Sequence, residues 1–81
     1  MRIKVKFFAY TREITGTREA EIEAEAGATL EDIMNILAEK YPGLQRYRNE
    51  INMAVNHEYA ERSTVVKEGD EVALLPPVSG G

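Results

Sequence analysis

The residues with the most chemistry to offer stand at the last two positions, Gly80 and Gly81. A glycine carboxylate has no Cβ beside it. It can therefore thread a narrow channel and present its carbonyl to an enzyme from many backbone angles. A glycine-rich end can equally be a frayed end, so the residues before it must decide. They are Pro76, Pro77, Val78 and Ser79. Proline cannot donate to a sheet ladder, so the pair ends the preceding strand. It also favours an extended polyproline path rising about 3.1 Å per residue, which gives residues 76–81 a reach on the order of 18 Å. A stiff exit followed by a tip without side chains suits insertion into another protein's active site.

Little else in the chain competes for chemistry. With no cysteine, there is no thiolate nucleophile, disulfide framework or thiolate metal site. The single histidine, His57, cannot build a histidine metal cluster alone, and no metal site is expected. Glu19, Glu21 and Glu23 form a row, but strand spacing spreads carboxylates along a line rather than around a point. They read as a solvated sheet face. The net charge of −4 argues against binding the phosphate backbone of nucleic acid. No leader and no membrane-spanning run is read from the sequence, so the cytoplasm is the expected compartment.

Eighty-one residues with 43% hydrophobic and 30% charged content read as one globular domain. Ile3, Val5 and Phe7 alternate with Arg2, Lys4 and Lys6, the pattern of a half-buried strand over 2–8. Ala20, Ile22 and Ala24 alternate with the glutamates in a second strand over 18–24. The basic face of one would pair with the acidic face of the other across an antiparallel hairpin. Thr29 reads as a helix N-cap with Asp32 at N3. Leu30, Ile33, Met34, Leu37, Ala38 and Tyr41 then mark one buried stripe, and Pro42-Gly43 stops the helix. Leu44 to Glu50 reads as a polar connection. Ile51, Met53 and Val55 mark a third strand, Asn56-His57 a turn, and Glu58 to Ala60 a short return strand. After a turn at 67–70, Glu71 to Leu75 is the last strand, with Val72 and Leu74 inward.

The first and last strands carry enough apolar residues to be central. Their parallel pairing needs a crossover, which the helix supplies. The expected fold is α+β, a β-grasp of the ubiquitin type: a mixed sheet with one main helix packed across it. The domain would span 1–75 and the extended tail 76–81. Alternation also turns Ala73 and Leu75 outward, and Phe8 to the face opposite Phe7. An outward Phe8 and Leu75 beside the tail would make an apolar patch, which tends to mark a partner surface.

Phe7-Phe8-Ala9, Arg12-Glu13 and Gly16 near the start, with Gly69-Asp70-Glu71-Val72-Ala73 and Pro76-Pro77-Val78-Ser79-Gly80-Gly81 near the end, carry a resemblance over essentially the full length. The chain resembles the small subunit of molybdopterin synthase, the MoaD-type sulfur carriers. Asn56-His57 departs from the Asn-Gly common at that turn, which bears only on its geometry. The resemblance implies that a MoeB-type, E1-like enzyme adenylates Gly81 with MgATP. A sulfur donor then converts it to a thiocarboxylate, which gives sulfur to a pterin precursor in the MoaE-type large subunit, on the way to a molybdenum or tungsten cofactor. It implies a heterotetramer with that subunit, and a chain not catalytic alone that binds no cofactor itself. It gives Gly81 the covalent role, Gly80, Ser79, Val78, Pro77 and Pro76 the threading role, and Phe8, Arg12 and Leu75 partner contacts. The alternatives are a modifier joined through Gly81 to lysines, a carrier for the thiazole of thiamine, and a plain binding module.

Overall fold

The computed structural model describes residues 1–77. Its centre is a five-stranded sheet in the order β2-β1-β5-β3-β4. The strands are β1 (Arg2–Phe7), β2 (Glu19–Glu23), β3 (Asn52–Val55), β4 (Glu58–Ala60) and β5 (Glu71–Leu75). β1 and β2 run antiparallel with Arg2 opposite Glu23, Lys4 opposite Glu21 and Lys6 opposite Glu19. The expected pairing of basic and acidic faces is therefore present. β1 and β5 lie side by side and parallel, Val5 opposite Val72 and Phe7 opposite Leu74. β3 closes onto β5, and β4 onto β3, both antiparallel.

Helix α2 (Leu30–Lys40) packs its stripe onto the sheet. Thr29 caps it through a reciprocal pair: Asp32 N–H donates to the Thr29 hydroxyl, and Thr29 N–H donates to the Asp32 carboxylate. Ile3, Val5, Leu30, Ile33, Met34, Leu37, Val72 and Leu74 are all fully buried between the two layers. The two central strands thus supply the floor of the core, as their apolar content predicts.

Two segments differ from the sequence reading. Between β1 and β2 the chain forms a short helix, α1 (Tyr10–Thr15), closed by Gly16 in the left-handed conformation. The segment after α2 is not a polar connection but a 3₁₀ helix over Pro42–Tyr47, with Leu44 fully buried. Pro42 both ends α2 and opens this next turn, where its missing N–H costs nothing. The 3₁₀ helix lies against α1 so closely that a Cβ at Gly43 would come within 2.8 Å of Ile14 Cγ2.

The segment before β5 is held by charge. Arg62 donates to Glu31 Oε1 at 2.9 Å and to the Ile51 carbonyl at 2.8 Å, and Arg48 donates to Glu31 Oε2 at 2.8 Å. Hydrogen bonding to Arg62 is the largest influence on the Glu31 carboxyl; burial opposes it, and with the added pull of Arg48 the carboxyl is held below its usual range. A depressed folded pKa adds stability that is full above the ordinary glutamate value and is lost as pH falls through the folded value. Glu31→Gln should therefore lower Tm by a few degrees at pH 7, and the gap from wild type should close at acid pH. Tm followed by circular dichroism from pH 7 to pH 3 checks this; a gap that stays constant would contradict it.

Candidate functional site

Outward residues of the sheet's far face form a hollow of about 270 Å³, lined by Lys6, Phe8, Ala54, His57, Tyr59, Glu71, Ala73 and Leu75. The register explains it. Lys6, Ala73, Ala54 and Tyr59 stand in one row across β1, β5, β3 and β4. Two alanines in the middle of that row leave a depression. Phe8, Leu75 and Tyr59 wall it, with Phe8 44% and Tyr59 66% exposed. Charged groups sit at one edge: Lys6 Nζ lies 3.6 Å from Glu71 Oε1, and His57 Nε2 lies 3.9 Å from Glu71 Oε2. An apolar floor with a small polar rim is the composition of a protein-docking surface.

Phe8 is held in place by backbone and hydroxyl contacts. Its N–H donates to the Leu74 carbonyl at 3.3 Å and to Thr11 Oγ1 at 2.9 Å. The Thr11 hydroxyl, fully buried, lies 2.7 Å from the Phe8 carbonyl and 3.1 Å from the Leu74 carbonyl, either of which can accept its hydrogen bond. Thr11 therefore ties the Phe8–Ala9 segment to the strand that leads into the tail. Between them Ala9 is held at φ 52°, ψ −128°. This is a conformation that L residues avoid, costing on the order of 1–3 kcal/mol, and it persists only where the surroundings dictate it. Replacing Thr11 by valine keeps the shape and removes the hydroxyl. We expect a loss of about 1–3 kcal/mol in urea unfolding, with broadened amide signals at Phe8 and Ala9. Unchanged stability and signals would show that the hydroxyl contributes nothing.

β5 carries the floor of the hollow directly to the exit. Leu75 is its last residue, Pro76 follows half-buried, and Asn52 Nδ2 lies 3.5 Å from the Pro76 carbonyl, a distant hydrogen bond. Pro77 is exposed. The assignments made for Val78, Ser79, Gly80 and Gly81 lie outside the described residues. Phe8 and Leu75 are brought together as expected. Arg12 is not: it is exposed on α1 and does not line the hollow. The turn Asn56-His57 has φ of 49° and 74°, so both residues take the left-handed region that the usual Asn-Gly favours. Asn56 anchors that turn, donating to Asp70 Oδ1 at 3.0 Å and accepting from Glu71 N–H at 3.1 Å. Ala54, Tyr59, His57, Lys6 and Glu71 join the site without having been singled out. For Ala54 and Tyr59 the signal was available, because alternation against Met53 and Ala60 turns both to the far face.

A mixed sheet in this order, crossed by one main helix on one face and hollowed on the other beside a proline exit, defines a ubiquitin-like β-grasp domain. The ThiS family pattern matches residues 5–81, and the chain belongs to that family. Among its relatives, the molybdopterin synthase sulfur carrier subunit of Arabidopsis thaliana is 37% identical over 81 residues, covering all of this chain and 84% of that protein. Among solved structures, SAMP1 from Haloferax volcanii superposes with a TM-score of 0.89 at 31% identity, covering both chains completely. A structure of the complex of subunits 1 and 2 of the molybdopterin-converting factor from Helicobacter pylori matches with a TM-score of 0.70 at 27% identity, again covering both chains.

Proposed function

We propose that this chain is the sulfur carrier and small subunit of a molybdopterin synthase. The observation that carries the reading is continuity. The apolar hollow reaches Leu75, the last residue of β5, and Pro76-Pro77 follow it directly in the chain towards Gly80-Gly81. Full-length similarity to sulfur carrier subunits supports it.

The chemistry follows from the poor leaving group on a carboxylate. A Gly81 carboxylate oxygen attacks the α-phosphorus of MgATP in an E1-like partner. Pyrophosphate departs and an acyl adenylate remains. Hydrosulfide supplied by a sulfur donor attacks the carbonyl, AMP departs, and loss of the sulfur's proton leaves Gly81 as a thiocarboxylate. Its sulfur then attacks the pterin precursor in the large subunit of a heterotetramer, and hydrolysis of the resulting thioester leaves the sulfur on the pterin and returns the Gly81 carboxylate. The metal that the finished cofactor holds, molybdenum or tungsten, is chosen beyond these steps. The ATP and its magnesium belong to the adenylating partner, and this chain supplies a docking face and an acyl end. Its place of work is the cytoplasm. Among the described residues, no helix is long and apolar enough to cross a membrane.

The test is reconstitution. Thiocarboxylated chain, mixed with the large synthase subunit of its host, should form a complex that converts the pterin precursor to a dithiolene product. Binding to a thiazole-forming enzyme instead would move the reading to thiamine synthesis. Full-length likeness to SAMP1, of the small archaeal modifier proteins, favours a second reading in which Gly81 is joined to lysines. A ladder of conjugates in host extract that vanishes when Gly80-Gly81 is deleted would support it.

A further inference from the structure

A second cleft opens at the root of the tail, away from the hollow. It holds about 470 Å³ and is lined by Tyr10, Glu13, Ile14, Tyr47, Glu50 and Pro77. α1 and the 3₁₀ helix form its walls, and their contact at Gly43 and Ile14 is too tight to admit another methyl group. Tyr10 and Tyr47 meet edge to face with ring centroids 5.4 Å apart. Tyr47 already accepts one cation, the Arg46 guanidinium, 5.7 Å from its ring centroid. Glu13 and Glu50 are exposed, and among the described residues neither makes an ion pair within 4.0 Å. The Tyr10 hydroxyl is buried and has no hydrogen-bond partner among the described residues. Burial, then the Glu50 carboxylate, pushes its pKa up and keeps it neutral.

We propose that this cleft seats an arginine side chain of the adenylating partner, beside the point where the tail enters that enzyme. Two aromatic faces and two unpaired carboxylates are the chemistry of a cation seat. A guanidinium suits it better than an ammonium, because it stacks flat on a ring while its N–H groups meet a carboxylate. Charge complementarity names the partner. An enzyme that brings a carboxylate to the phosphates of ATP must gather cations around both, and the tail that delivers this carboxylate leaves the domain at Pro77. Pro77 in the lining places the cleft there. The inference rests on the proposed sulfur-carrier function, and it adds a contact distinct from the Phe8–Leu75 face.

The full-length chain titrated against its host's adenylating enzyme, by calorimetry at low and moderate salt, tests this. Glu13→Gln with Glu50→Gln should weaken binding by about tenfold at low salt and flatten the salt dependence. Tyr47→Leu keeps apolar bulk but loses the π face, and should weaken binding several-fold. Binding to the large synthase subunit should change in neither case. Phe8→Ala serves as the reference for the docking face. If Phe8→Ala weakens binding while the glutamine pair stays within about twofold of wild type, the cleft is not a seat and the carrier reading stands. A glutamine effect without a Tyr47 effect marks diffuse charge attraction and overturns the proposal. So does a loss confined to the large subunit. Wild-type chain that binds no adenylating enzyme overturns the carrier reading and this inference with it.

Discussion

Deleting Gly80 and Gly81 is expected to abolish ATP–pyrophosphate exchange by the host's adenylating enzyme, while the thermal midpoint of the domain stays where it was. The residues that build the core run from Ile3 to Leu74, so nothing that holds the sheet to α2 is removed. What is removed is the acyl group itself. A chain ending at Ser79 places a side chain next to the carboxylate and falls two residues short. Binding should persist, because Phe8, Ala73 and Leu75 are untouched. The truncated chain should therefore inhibit exchange by the full-length protein. Exchange that continues at a comparable rate with the truncated chain would mean that the tail is not the reacting end.

Phe8→Ala is expected to weaken binding to the adenylating enzyme and to the large synthase subunit by about thirtyfold, near 2 kcal/mol, the scale at which a central aromatic anchor contributes to an interface. Leu75→Asp should cost more, since it sets a carboxylate on the apolar floor where docking would strip its water. Phe8 is 44% exposed and Leu75 points away from α2, so the fold should tolerate both changes. Calorimetric titration with each partner measures the loss, and Tm confirms that the variants are folded. Affinities within about twofold of wild type would show that the hollow is not the docking face.

The parts of the fold that were legible share one property: a local pattern that tertiary packing also rewards. Alternation in β1, β2 and β5 sets which face is buried, and the parallel β1–β5 pair follows from both strands being apolar enough for the centre. Thr29 and Asp32 form their capping pair with bonds only three residues long. Asn56-His57 was legible as a turn because those side chains tolerate positive φ.

The missed segments lack such local reinforcement. α1 has six residues, too few to be stable alone, and no side chain caps its start. It exists because Thr11 reaches the Leu74 carbonyl and Ile14 packs on the 3₁₀ helix, contacts 63 and 29 residues away along the chain. Gly16, left-handed at its end, was the one local sign. The 3₁₀ helix was obscured by Gln45, Arg46 and Arg48 around a single buried Leu44. The charge lock of Arg62, Glu31 and Arg48 joins residues far apart in sequence, so spacing carries no trace of it. Of the site, Phe8 and Leu75 came from parity alone. The strain at Ala9 and the cleft at the root of the tail depend on α1 and could be found only with the structure.

In the proposed function Gly81 carries sulfur as a thiocarboxylate. Intact-mass spectrometry of the protein, after incubation with its host's adenylating enzyme, MgATP and a sulfur donor, tests it most directly. A mass gain equal to replacing one oxygen by sulfur is expected, confined to the C-terminal peptide and absent when ATP is withheld. An unchanged mass, with that enzyme shown to be active on another carrier in the same buffer, would contradict it.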